Sequence, residues 1–225
     1  MEIDRRRIRR LIRQSHARER TFDRVVRQQA WLDPLGEAVQ KAVGVFYDAL
    51  GAPGKSIKNV MHGTNVLGHP LHPAITDVPI GAWSVGVLAD WLFVATGRVP
   101  AVAGDLGLGL GVAAAIIAAL TGLTDHHETE GHERRMATLH GMTMTLVLVI
   151  DLVSVGLRLW APGMRLSAIG LATVGWLLAM AAAYVGGHLT FAMGTVVNHN
   201  AFFEGPKDFV RVGTREDFPE GAMRR

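Results

Sequence analysis

The stretch AVAGDLGLGLGVAAAIIAALTGL, residues 101–123, runs 23 residues with a single charged side chain, Asp105. A helix needs about 20 predominantly apolar residues to cross the hydrocarbon of a bilayer. Nothing in this stretch offers the polar face that a helix of a soluble bundle turns to water. Three more stretches share the character: Pro73–Thr96, Met136–Trp160 and Ser167–Val196. Their connections, Gly97–Pro100, Thr124–Arg135 and Ala161–Leu166, are short, so sequential neighbours run antiparallel. The expected fold is all-α, a four-transmembrane-helix up-down bundle over residues 73–196, with spans 73–96, 101–123, 136–160 and 167–196. Amphipathic helices on the cytoplasmic side precede it within residues 1–72, and a cytoplasmic tail, 197–225, follows.

Composition agrees. Of the 225 residues 19% are charged, against about 25% in soluble domains, and residues 1–72 and 194–225 hold most of that charge. The chain has no cysteine, so it forms no disulfide and alone holds no iron–sulfur cluster. The Arg-rich start is followed by no apolar run, so no secretory signal is visible. No nucleophile triad, phosphate loop or zinc-protease motif points to a hydrolase. No internal repeat stands out.

Lysine and arginine set the orientation. With both termini inside, only Arg98, Arg158 and Arg165 of the 23 Lys and Arg residues lie outside. The location expected is a bacterial inner (plasma) membrane. Residues Arg5–Trp31 hold ten arginines together with Ile8, Leu11, Ile12, Phe22, Val25 and Val26 at helical spacing. Such a helix suits anionic lipid headgroups; a soluble helix or a disordered tail is the plainer reading. Aromatic residues do not interleave with the arginines, so nucleic acid is not an expected partner. Asp33–Val60 reads as a second amphipathic helix, broken at Gly51, Pro53 and Gly54. Within the spans, Gly107 and Gly111, and Gly175, Ala179, Ala183 and Gly187, recur every four residues, as in close helix packing in lipid.

The expected topology puts all ten histidines on the cytoplasmic side. His72 opens the first span, His140 lies a turn into the third, and His188 lies near the inner end of the fourth. Asp77 and Asp125 fall at the same level. Ionisable groups in membrane helices are functional candidates by default, and neutral imidazole is the commonest protein metal ligand. Two readings give the cluster a cofactor: His72, His140 and His188 hold a haem, haem b in type, or they join Asp77 and Asp125 around a divalent metal. The third reading is structural, with these side chains hydrogen-bonded only to helix ends and headgroups. The run His126–His127–Glu128 reads as a solvated loop. A polar line on the third helix, His140, Thr143, Asp151 and Ser154, can either pass protons or make interhelical hydrogen bonds.

At GHPLHPAITDVPIGAW, residues 68–83, the chain resembles a bacterial membrane family, domain of unknown function 2231, whose members open with a similar HPLHP segment. Further likeness lies in GLTDHHETEGHERR at 122–135, LHG at 139–141 and GGHLTFAMGTVVNHNAF at 186–202. The resemblance covers roughly residues 30–205 and implies no known reaction. Some relatives carry His where this chain has Asp77. Such an exchange suits a metal ligand or hydrogen-bond partner better than a haem axial ligand. Relatives are often fused to a C-terminal Rieske iron–sulfur domain, and the tail DFVRVGTREDFPEGAMRR is similar to the opening of one, without its cluster ligands. The resemblance thus implies a redox-associated subunit with a Rieske-type partner; the alternatives are a non-catalytic anchor for that partner and a metal-binding or transport protein.

Overall fold

Proline and glycine punctuate the apolar runs, and the helices break where they fall. The computed structural model describes residues 21–63 and 67–197, with positions 208, 211, 213 and 214. The arginine-rich residues 1–20, His199 and most of the Rieske-like tail lie outside the described residues. Every regular element among the described residues is helical: α1 (Thr21–Arg27), α2 (Leu32–Leu50), α3 (Ala52–Met61), α4 (Leu71–Ile75), α5 (Asp77–Thr96), α6 (Ala101–His126), α7 (Gly131–Trp160) and α8 (Arg165–His188). Gly51, at φ 60°, makes the break expected in the second amphipathic segment. Pro79 lacks the N–H that would continue the helix at Thr76, so the first span divides into α4 and α5. Gly97, in the left-handed region, ends α5 with its N–H donated to Phe93 O. A π turn, Leu189–Met193, and Gly194 at φ 76° close α8.

Four helical segments are long and apolar enough to cross a membrane: Leu71–Thr96, Ala101–His126, Gly131–Trp160 and Pro162–Met193. They form the expected up-down bundle. Their outward faces carry Val85, Leu88, Leu106, Leu110, Val153 and Leu177, all well exposed. A belt of that kind belongs in lipid rather than water. The third segment starts at Gly131 rather than Met136. Its charged first turns are neutralised instead of solvated: Arg135 holds Asp33 of α2 through two nitrogens (2.8 and 2.5 Å), and Arg134 holds Glu37 at 2.8 Å.

The inward faces repeat in alternating steps of three and four residues. On α6 the inner row is Gly104, Leu108, Gly111, Ala115, Ala118, Gly122 and Asp125; on α8 it is Ala168, Ala172, Gly175, Ala179, Ala182 and Gly186. This 3.5-residue period is that of a left-handed supercoil. It differs from the four-residue stripe read in the sequence. Gly175 and Ala179 are buried as expected, whereas Ala183 and Gly187 are half-buried.

The rows also expose an internal repeat that the sequence hides. His72 on α4, with Trp83 and Asp90 on α5, has a matching set in His140, Asp151 and Arg158 on α7, each 68 residues on. Gly111, Ala118 and Gly122 on α6 correspond to Gly175, Ala182 and Gly186 on α8, 64 residues on. Contacts repeat with the positions. A Cβ on Gly111 would lie 2.3 Å from Trp83, and one on Gly175 would lie 2.4 Å from Asp151. Counterparts also meet: His72 against His140 at one end, Asp90 against Arg158 at the other. The hairpins α5–α6 and α7–α8 are thus related by a pseudo-twofold axis along the bundle.

Candidate functional site: a histidine pair on the pseudo-twofold axis

Each imidazole of the pair is held in the same way. His72 Nδ1 donates to the carbonyl of Ala118 at 2.8 Å, and His140 Nδ1 donates to the carbonyl of Ala182 at 2.8 Å. A backbone carbonyl only accepts, so both rings carry a proton on Nδ1, and each neutral ring presents an Nε2 lone pair. Each ring packs against a glycine one turn beyond its carbonyl. A Cβ on Gly122 would stand 2.8 Å from His72 Cε1, and one on Gly186 would stand 3.0 Å from His140 Cε1. The ring centroids are 6.3 Å apart, with the planes at 74°. Among the described residues neither Nε2 has a hydrogen-bond partner.

The other expected site residues take separate places. His188 turns to α1, where its Nε2 lies 2.5 Å from Asp23 Oδ1 and its ring meets Phe22 edge to face. Asp125 is buried, with its Oδ1 3.2 Å from His62 Nδ1. Asp77 is exposed on the first turn of α5, with no side-chain partner among the described residues. Thus His72 and His140 come together, Asp125 pairs with His62, and His188 and Asp77 stand apart. Among the described residues no group of three or more His, Asp or Glu side chains gathers closely enough to hold a metal ion.

His126 departs from its expectation as a solvated loop residue. It ends α6, is buried, and its Nε2 pairs with Thr138 Oγ1 at 2.9 Å. The cover is α2, whose Gln40 amide donates to the carbonyls of His126 (3.0 Å) and Thr129 (2.7 Å). Outside the spans, the Arg135 guanidinium holds the Asp33 carboxyl below its usual range. The Lys58 ammonium, at 2.5 Å, does the same for Glu128.

Sequence reasoning missed His62, Asp23 and the ion cluster at the far end. There Arg158 bonds Asp90 (2.5 Å) and Asp105 (2.8 Å), and Arg165 bonds Asp105 at 2.9 Å. Opposite charges near the same ends of apolar spans were the available signal. For His62 and Asp23 the sequence carries none, because each meets its partner only through the docking of α3 or α1.

Fold and site together define an integral membrane four-helix bundle with an imidazole pair on its axis. Residues 68–199 match the model of a family described as "Predicted membrane protein (DUF2231)", and the chain belongs to that family. No curated protein and no solved structure matches it.

Proposed function

We propose that this chain is a haem-binding subunit of a membrane electron-transfer system, in which His72 and His140 would hold the haem. The carrying observation is the pair itself: two imidazoles from equivalent positions, each with Nδ1–H fixed on a backbone carbonyl, at a centroid separation of 6.3 Å. Metal–imidazole bonds are about 2.0–2.1 Å long, so one ion between two imidazoles sets their centroids about 6 Å apart. Hydrogen bonding at the second ring nitrogen is the usual support of a metal-bound histidine. Two imidazoles with no third side-chain ligand among the described residues suit haem better than a divalent ion, since haem would bring its own four nitrogens and need only two from the chain. When bound, the group supplies one-electron chemistry. His72 and His140 would hold it, and the carbonyls of Ala118 and Ala182 would fix the orientation of the two rings.

The split of Lys and Arg residues supports an inner-membrane orientation with both termini in the cytoplasm. The pair then faces that side. The likeness of the tail to a Rieske opening supports such a protein as the electron partner.

The test is the absorption spectrum of the full chain purified from haem-supplied cells. A haem band that shifts on reduction is expected. It should be lost in His72→Ala and in His140→Ala, and kept in His188→Ala. Full haem content in the His72→Ala/His140→Ala double variant overturns the assignment. A colourless protein with stoichiometric divalent metal would instead favour the metal reading. A colourless, metal-free protein would leave the anchor reading.

A further inference from the structure

Asp151 lies inside α7, between the histidine pair and the ion cluster, and takes part in neither. It is fully buried, and among the described residues neither carboxyl oxygen has a hydrogen-bond partner. Its position is defined, because Oδ1 is pressed onto the bare Cα of Gly175. Arg158 stands two turns further along the same helix, about 10 Å by helix rise. That guanidinium is already bonded to Asp90 and Asp105, and Arg165 completes a set of two positive and two negative charges. The cluster balances without Asp151.

The neighbouring helices bring no charge to this depth. α5 has no charged residue between Asp77 and Asp90, and α6 has none between Asp105 and Asp125. α8 offers only Tyr184 between Arg165 and His188, and that side chain is exposed. The counterpart of Asp151 in the first hairpin is Trp83, an uncharged residue packed on Gly111 in the same manner. An ionised carboxylate with no donor and no cation is among the costliest groups to place in a bilayer interior.

We infer that Asp151 is a proton-binding site of the membrane interior: the resting protein holds it as a neutral carboxylic acid, which gives up its proton only as pH rises. The inference stands on the burial and isolation of the carboxyl and is independent of the haem assignment. Ser154, one turn away on the same helix, donates its hydroxyl to Ala168 O at 2.7 Å and so leaves the carboxyl without a donor among the described residues.

The test treats the full chain, in detergent or lipid, with an apolar carbodiimide. Such a reagent adds to a carboxylic acid. The acid's proton moves to a carbodiimide nitrogen and the carboxyl oxygen bonds the central carbon. The acyl group then shifts to nitrogen to leave an N-acylurea, with no leaving group and no electron transfer. One adduct is expected at Asp151 near neutral pH, declining as pH rises, equally in haem-free protein. The infrared spectrum is decisive: an acid carbonyl band present near neutral pH should vanish in Asp151→Asn, which keeps the size of the neutral acid. A spectrum with no such band, or a band that Asp151→Asn leaves unchanged, overturns the proposal whatever the labelling yields.

Discussion

Arg158 shows how a single residue can be read twice. In the sequence it is one of three basic residues on the sparse side of a charge count. In the fold its side chain is 4% exposed, between Asp90 and Asp105. Removing one member of a buried pair leaves the other charge unpaired and costs about 3–5 kcal/mol, whereas removing both is often close to neutral. Arg158→Met should therefore destabilise the protein strongly in thermal unfolding in detergent. Adding Asp90→Asn to it should recover much of the loss, giving a double-mutant coupling well above additivity. Equal and additive losses would mean that the two side chains act separately. Gly104 belongs to the same design, since a Cβ there would strike the Asp90 carboxylate.

Among the elements, α8 and α2 are held by different physics. α8 packs by fit. Ala179 is fully buried in the 3.5-residue row, so Ala179→Leu should overpack the seam and destabilise by about 1–3 kcal/mol. Ala183→Leu, on the half-buried flank, should cost clearly less. Thermal unfolding of the two variants separates the 3.5-residue row from a four-residue stripe. α2 is held in part by charge. It clasps the start of α7 through Asp33–Arg135 and Glu37–Arg134. The Asp33 carboxyl is held low by Arg135. Its stabilising contribution is therefore present above the unfolded value of about 3.9 and is lost as pH falls through the lower folded value. Acidification below about pH 4 should raise amide exchange in Leu32–Leu50 ahead of the spans. Asp33→Asn should show weaker protection at neutral pH and little further change with acid.

For the whole molecule, the proposed orientation makes a prediction of its own. A reporter fused after Arg225 should be active only when it is of the cytoplasmic type. Activity of a periplasmic reporter there would place the histidine pair on the opposite face. The pseudo-twofold axis adds a second organising feature. It puts equivalent residues against one another, so a histidine meets a histidine at one end and an aspartate meets an arginine at the other.

The sequence by itself determined the four spans, their short antiparallel connections and the family, because length, hydropathy and punctuation by Gly and Pro are local properties that a bilayer reads directly. It also singled out His72 and His140, since ionisable groups are conspicuous on apolar helices. Only the tertiary structure decided which of the candidates meet. His188 turns to Asp23, Asp125 turns to His62, and Asp77 faces outward, because partners are chosen by helix rotation and by the docking of α1, α2 and α3. The repeat was hidden for a related reason. Its two halves share spacing and packing more than residue identity, with Trp83 answering Asp151 and Asp90 answering Arg158, so it becomes visible only where the side chains touch.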